Sequence, residues 1–285
     1  MTALITGASS GIGEALAKNF ASRGINLVLV ARREDKLKSL KNQIRILNPD
    51  VRVKIICRDL SNVDECKALH DECRPAKIDI LVNNAGFGLF GKFDETELDR
   101  ELEMIDVNCK GLHTLTKLFL RDFTVRNHGY ILNVASAAGY MPGPLMTAYY
   151  ATKGYVLQLS RAIYGELKRR RSNVSISVLC PGPVKTEFNS VAGAEFALGG
   201  ASAAYVADCA VNGLFSRQLE IVPTAQIKAL RILAKLTPVK MMMFFVYYMQ
   251  QARRGGSEEK GDLFGFFCDF LSAAKDVVCP LRQSH

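Results

Sequence analysis

Tyr149 and Lys153, four residues apart, are the pair best placed in this sequence to move a proton. On a helix, positions i and i+4 share a face, so the two side chains project together. An ammonium beside a phenol stabilises tyrosinate and lowers its pKa from the usual ~10. Tyrosine then becomes usable as an acid or base near neutral pH. Tyr150 lacks such a partner, because Gly154 stands four residues beyond it. A Tyr-x-x-x-Lys spacing is common by chance. Its weight here comes from position: Ser136 ends the apolar run Asn133-Val134-Ala135-Ser136 thirteen residues earlier.

A second constellation opens the chain. Thr6-Gly7-Ala8-Ser9-Ser10-Gly11-Ile12-Gly13 follows the strand-like Thr2–Thr6 and precedes a helical pattern. Glycines let backbone approach a pyrophosphate closely, and a helix N-terminus offers N–H groups and a positive dipole end. The spacing is G-x-x-x-G-x-G, not G-x-G-x-x-G. The next apolar run, Asn26–Ala31, ends in Arg32-Arg33. An acidic residue there would bind ribose hydroxyls and select NAD, whereas arginine accommodates the 2′-phosphate of NADP. Arg32 is the primary expectation and Arg33 the accessory, with solvated charge at a helix start as the bland alternative. Two cations at a helix N-terminus oppose its dipole, which favours the functional reading.

These residues need elements to position them. Strands are expected at 2–6, 26–31, 52–57, 79–82, 129–135, 174–180 and 219–222, and helices at 11–23, 34–47, 62–73, 97–106, 108–126, 148–170 and 202–214. Strands apolar throughout imply a sheet covered on both faces. Strand–helix alternation implies a parallel, doubly wound, Rossmann-like α/β sheet of about seven strands. Ligands bind such sheets outside the carboxyl ends of the strands, which is where the informative residues fall. A single NADP-binding catalytic domain is expected over 1–224, a basic amphipathic helical extension over 225–254, and a tail over 255–285.

At this point the sequence resembles the short-chain dehydrogenase/reductase family from residue 2 to about 222. The matching motifs are TGASSGIG at 6–13, Asp59-Leu60, Asn83-Asn84-Ala85-Gly86, Asn108, Ser136, Tyr149/Lys153 and Pro181-Gly182-Pro183-Val184-Lys185-Thr186. The resemblance implies Tyr149 as proton donor for carbonyl reduction and Lys153 as a ligand of the nicotinamide ribose. It makes Ser136 a hydrogen-bond partner of the substrate oxygen, and gives Asn108 a water relay to Lys153. It implies that Asp59, with Leu60, meets the adenine, and that Asn83, Ala85 and Gly86 support the cofactor. Pro181, Gly182, Val184 and Thr186 would lie against the carboxamide and phosphates. With Gly7, Ser9, Ser10, Gly11, Ile12, Gly13, Arg32 and Arg33, these make an NADP(H) site. The implied activity is interconversion of a ketone and a secondary alcohol, with hydride carried by the cofactor.

The substrate side reads as apolar: Phe87, Phe90, Tyr140, Met141, Leu145, Met146, Phe188 and Phe196, with a small-residue stretch from Glu187 to Gly200 suited to a mobile lid. A lipid- or steroid-like ketone is the expected substrate. The alternatives are a 3-oxoacyl thioester and, from another class, a non-catalytic NADP-binding scaffold on membranes. The catalytic set Asn108, Ser136, Tyr149 and Lys153 argues against the scaffold.

The 285 residues carry a net charge of +9, and half are apolar, a globular composition. Six of the positive charges and no acidic residue lie in 225–254. Lys228, Arg231 and Lys235 share one arc of a helix, and Ile227, Leu230, Leu233 and Leu236 the opposite one. Thr237-Pro238 then starts a second, aromatic-rich helix. This extension suits a membrane surface, a roof over the pocket or a packing interface, a basic, apolar character similar to hydroxysteroid dehydrogenase-type reductases. The charge is therefore no nucleic-acid signature, and no reading motif is present. Eight scattered cysteines and four dispersed histidines make neither a disulfide framework nor a metal site. No leader is expected, the longest apolar run of nine residues is short for a span, and a cytoplasmic setting follows, with peripheral membrane contact as an option. A homodimer or homotetramer through 108–126 and 148–170 is implied by the resemblance.

Overall fold

The computed structural model describes residues 1–188 and 200–251. The expected tail at 255–285, Phe196 and most of the expected lid lie outside the described residues.

Seven parallel strands form the main sheet: β1 (Thr2–Thr6), β2 (Asn26–Ala31), β3 (Val53–Cys57), β4 (Ile80–Asn83), β5 (Gly129–Val134), β6 (Val174–Leu179) and β9 (Glu220–Ile221), in the order β3-β2-β1-β4-β5-β6-β9. A two-stranded ribbon pairs β7 (Val184–Lys185) with β8 (Ala201–Ser202). Every strand expected from the sequence is present, within a residue or two of its bounds.

The apolar strands are explained by what covers them. Successive residues of β1 and β2 point to opposite faces. Ala3, Ile5, Leu27 and Leu29 join a core with Leu16 and Phe20 of α1 (Gly11–Ser22), Leu37 and Ile44 of α2 (Glu34–Leu47), and Val206 and Leu214 of α7 (Ala203–Phe215). Leu4, Val28 and Val30 join the other core. Its helical residues include Leu69 of α3 (Val63–Cys73), Phe119 and Phe123 of α5 (Leu112–Arg126), and Leu167 of α6 (Thr147–Arg169). Both faces of β1 and β2 are covered, which accounts for strands apolar at nearly every position.

The strand order reverses at β1, which lies between β2 and β4 in parallel register (Thr2 opposite Asn26, Ala3 opposite Ile80). The connections after β1 and β4 diverge there, opening a crevice at their carboxyl ends. Between α4 (Leu98–Ile105) and α5 the chain makes a π-turn over Asp106–Gly111, which sets Asn108 on its inner side. After β9 come α8 (Ala225–Leu236) and α9 (Val239–Gln251). Thr237 ends α8 in an extended conformation, and the Pro238 carbonyl accepts the Met242 N–H. Among the described residues no helix is long and apolar enough to cross a membrane.

α8 departs from the simple two-faced picture. Ile227 is buried and Leu230 half-buried on the core, but Leu233 and Leu236 are exposed. Arg231, expected on the solvated face, pairs with Glu220. Glu220, itself half-buried, also binds Arg161 and accepts from the Tyr140 hydroxyl at 2.9 Å. The helix is thus clamped to the sheet edge through its basic side.

Candidate active site

The first turn of α1 is built to approach an anion. Gly7 and Gly11 adopt positive φ, +62° and +58°, which an L side chain resists. A Cβ on Gly13 would lie 2.3 Å from the Gly7 carbonyl oxygen. Ser10 precedes the helix but its side chain makes no cap. The Asn84 amide braces the loop, donating to the Thr6 and Gly7 carbonyls at 3.0 and 3.1 Å. The Thr6 hydroxyl accepts from the Asn84 and Ala85 N–H groups. An uncapped helix end behind a glycine cradle fits a dinucleotide pyrophosphate.

The catalytic candidates meet at the end of β5. Ser136 begins a 3₁₀ turn, Ala137–Tyr140, and its Oγ accepts from the Ala138 N–H at 3.1 Å. Tyr149 and Lys153 lie in the first two turns of α6 and face it. The Ser136 hydroxyl faces the Tyr149 phenol and lowers its pKa. Lys153 Nζ donates to the Val134 carbonyl at 3.0 Å and stands 5.8 Å from the centre of the Tyr149 ring. Gly139 lets the turn close on α6, since a Cβ there would come within 2.7 Å of the Lys153 carbonyl oxygen.

The charges differ from the sequence expectation. Burial raises the Tyr149 phenol above its ordinary 10; the Ser136 hydrogen bond lowers it and neighbouring Tyr150 raises it. Burial also lowers the Lys153 ammonium from 10.5 to about 8. The lysine therefore does not depress the phenol in this state. Its Nζ is spent on a backbone carbonyl, and desolvation works against both charged forms.

Asn108 sits on the π-turn beside them. Its carbonyl accepts from the Phe87 N–H at 3.1 Å, and its amide donates to the Phe87 carbonyl at 2.9 Å and to Thr152 Oγ1 at 3.1 Å. A Cβ on Gly86 would lie 2.6 Å from Asn108 Oδ1 and 3.6 Å from Lys153 Nζ, so glycine is required at that crossing.

One continuous cleft of about 860 Å³ joins these parts. Gly7, Ser9, Ser10, Gly11, Ile12, Arg32, Arg33, Asp59, Leu60, Ala85, Gly86, Ser136, Tyr149, Lys153, Pro181, Gly182, Val184 and Thr186 line it. Three expected residues do not. Gly13 is packed beneath the loop against Gly7. Asn108 lies behind Gly86. Asn83 is buried in a polar cluster, donating to Thr116 Oγ1 and Asn133 Oδ1 at 2.9 Å. Asn84 takes the place at the cleft expected of Asn83, because alternate residues of a strand point to opposite sides.

The arginines also differ in placement. Arg33 Nη2 donates to both Ser9 Oγ and Ser10 Oγ at 3.1 Å and pairs with Glu187 at 3.0 Å. Arg32 turns to Glu103 at 2.9 Å. Arg33, not Arg32, thus lies on the phosphate loop. Asp59 accepts from the Ser61 N–H and hydroxyl, tying down its own turn at the cleft edge.

Apolar side chains finish the substrate end. Phe87, Met141, Met146, Tyr150 and Phe188 line it, together with Ile227 and Leu230 of α8 and Phe245 and Met249 of α9. Phe188 lies 5.5 Å from Tyr149, ring to ring. Ile227 fits against Gly182, where a Cβ would meet it at 2.8 Å. The extension is therefore part of the wall. Sequence spacing gave no signal for this contact, since it joins residues far apart in the chain. Among the described residues no metal-binding group occurs.

A doubly wound parallel sheet, a glycine cradle at its switch point and a Ser–Tyr–Lys cluster beside it define a nicotinamide-dependent oxidoreductase. Comparison with known proteins agrees: the short chain dehydrogenase family pattern matches residues 1–195, and the chain belongs to that family. A very-long-chain 3-oxoacyl-CoA reductase of Anas platyrhynchos is 32% identical over 202 residues, 68% of this chain and 63% of that protein. A short-chain dehydrogenase from Sphingobium yanoikuyae in complex with NADPH superposes with TM-score 0.75 at 30% identity, over 91% of this chain and 99% of its own. A short-chain dehydrogenase/reductase from Burkholderia phymatum in complex with NAD gives 0.75 at 28%, over 81% and 92%. The bulky-bulky ketone specific alcohol dehydrogenase from Comamonas testosteroni gives 0.70 at 26%, over 100% and 96%.

Proposed function

We propose that the protein is an NADP(H)-dependent reductase that interconverts a bulky, apolar ketone and its secondary alcohol. The observation that carries this reading is the Ser136–Tyr149 hydroxyl pair, backed by Lys153, at the floor of a cleft whose far end is apolar. A ketone oxygen placed against that pair accepts two hydrogen bonds, and charge building on it is stabilised before a proton arrives. Tyr149 gives up its hydroxyl proton to this oxygen. Lys153, as an ammonium, favours the tyrosinate left behind, and Asn108 holds the Phe87 backbone and Thr152 that frame the pair. When bound, a nicotinamide cofactor supplies the hydride in reduction and accepts it in oxidation. Gly7, Ser9, Ser10, Gly11, Ile12 and Thr186 are the residues that would hold its phosphates, with Arg33 and then Arg32 for the 2′-phosphate.

NADPH consumption with a panel of ketones tests this. Bulky apolar ketones should be reduced, and Tyr149→Phe should abolish turnover. Turnover confined to small polar ketones, or unchanged in Tyr149→Phe, overturns it. A second reading, a 3-oxoacyl thioester reductase, is favoured by the similarity to the Anas platyrhynchos reductase. A long-chain 3-oxoacyl-CoA in the same panel separates the two.

Two partners belong to the same reading. A homodimer or homotetramer would use α5 and α6, where Val125 and Tyr155 are exposed and Tyr155 hydrogen-bonds His113. A peripheral membrane contact would use exposed Ile232, Leu233, Leu236 and Val239 with Lys228, Lys235 and Lys240. Such a protein would work in the cytoplasm at an anionic lipid surface.

A further inference from the structure

Both arginines at the end of β2 are matched by a glutamate, and the two pairs are not equivalent. Arg32 meets Glu103, at the end of α4. Arg33 meets Glu187 while its other Nη atom sits on the Ser9 and Ser10 hydroxyls. The Glu187 carboxylate therefore rests on a guanidinium that lies over the mouth of the phosphate loop. Its carboxyl is held below the usual range, chiefly by the Arg33 hydrogen bond, with burial opposing and the Arg33 and Lys36 charges and a Ser10 hydrogen bond adding to it. A guanidinium held beside serine hydroxyls and paired with an anion is a recognition that a phosphate monoester, tetrahedral and anionic, can also use.

The segment that carries Glu187 is fixed at both ends. Thr186 covers Gly11, whose Cβ position lies 3.0 Å from Thr186 Cγ2. Phe188 lies on the Tyr149 ring. Glu187 is thus delivered to Arg33 by a strand of chain already docked across the cofactor cleft.

We infer that Glu187 is a specificity-determining residue for the cofactor: its carboxylate stands in for the 2′-phosphate on Arg33 and must be displaced when that phosphate binds. The inference rests on the reading of Arg33 as the phosphate ligand. NADPH has to break the Glu187–Arg33 pair and meet a carboxylate of like charge. NADH carries a ribose hydroxyl instead and leaves the pair in place. Glu187 accordingly narrows the preference for NADPH that the two arginines create. Both side chains are about half exposed, at 45% and 48%. The penalty is correspondingly modest, about fivefold in affinity.

Binding of NADPH and NADH to the full chain, followed by calorimetry, tests this without any turnover. Glu187→Gln keeps size and hydrogen bonding but removes the charge. It should tighten NADPH about fivefold and change NADH by less than about twofold. The gain should vanish in an Arg33→Ala background, because the displaced contact no longer exists. Unchanged NADPH affinity in Glu187→Gln, alongside selective NADPH loss in Arg33→Ala, overturns the inference alone. Equal tightening of both cofactors also overturns it, since the effect then ignores the phosphate. An unchanged NADPH-to-NADH ratio in Arg33→Ala removes the phosphate reading of Arg33, and this inference with it.

Discussion

Lys153→Met is expected to make the protein more stable at neutral pH while destroying its activity. Lys153 is only 5% exposed, and burial lowers its ammonium from 10.5 to about 8. The native state therefore binds the proton less tightly than the unfolded chain. At 1.36 kcal/mol per pKa unit, this difference is a penalty of about 3 kcal/mol on the charged folded state. Methionine fills a similar volume without that cost, but it loses the hydrogen bond from Nζ to the Val134 carbonyl, worth about 1 kcal/mol. The net gain at pH 7 is about 2 kcal/mol, or roughly 5 °C in Tm. The pH dependence carries the sign. Between about 8 and 10.5 the unfolded wild-type chain holds more protons at this site than the folded one, so this group's contribution to wild-type stability rises with pH across that window. Below pH 8 the penalty is complete. Above about 10.5 it is gone, and the variant is the less stable of the two by about 1 kcal/mol. Urea melts of both proteins at about pH 7 and pH 10.5 measure this crossing. A variant less stable at pH 7, or one whose advantage is the same at both pH values, refutes the desolvation argument.

Ser136→Ala should lower kcat by about a hundredfold or more while sparing NADPH binding, because it removes one donor to the developing oxyanion; a steady-state assay with parallel cofactor titration reads both. Gly13→Ala should cost about 2 kcal/mol or more and weaken NADPH, since its Cβ would stand 2.3 Å from a backbone oxygen that cannot rotate away; thermal melts and fluorescence titration would show a near-wild-type protein if this were wrong. Glu220→Gln should destabilise the fold by about 2–4 kcal/mol by leaving Arg161 and Arg231 short of their shared carboxylate. Denaturant melts check it, and a loss below about 0.5 kcal/mol would mean the clamp on α8 is ornamental.

The sheet was legible because its signal is local. Runs such as Leu27-Val28-Leu29-Val30 are apolar at every position, and only burial on both faces accounts for that. That Tyr149 and Lys153 would share one face of a helix was legible through their four-residue spacing. What escaped is what depends on direction or distance. Asn83 and Asn84 are neighbours of one type, and only the strand's pleat decides which reaches the cleft. Arg32 and Arg33 differ in the same way, their placement decided by Glu103 and Glu187, which lie 71 and 154 residues further along the sequence. The amphipathic arc of α8 was read correctly as helix but assigned too simply. Arg231 is drawn inward by Glu220, whose charge is visible in the sequence but whose position at the sheet edge is not.

The strand order also dictates a sequence of assembly. β1 precedes both of its neighbours, which come from different parts of the chain. β2 follows it closely, whereas β4 pairs Ala3 with Ile80, and the Thr2 N–H reaches Asp79, 77 positions further along. Closing so long a loop is entropically costly before any contact repays it. Until the chain has been made through Asn83, β1 can pair on one side only, and its other edge stays open to foreign strands. The segment that will hold the cofactor is thus among the last parts of the first half-sheet to be secured. Refolding yield should suffer at high protein concentration for that reason, while in the finished sheet β1 lies enclosed between β2 and β4.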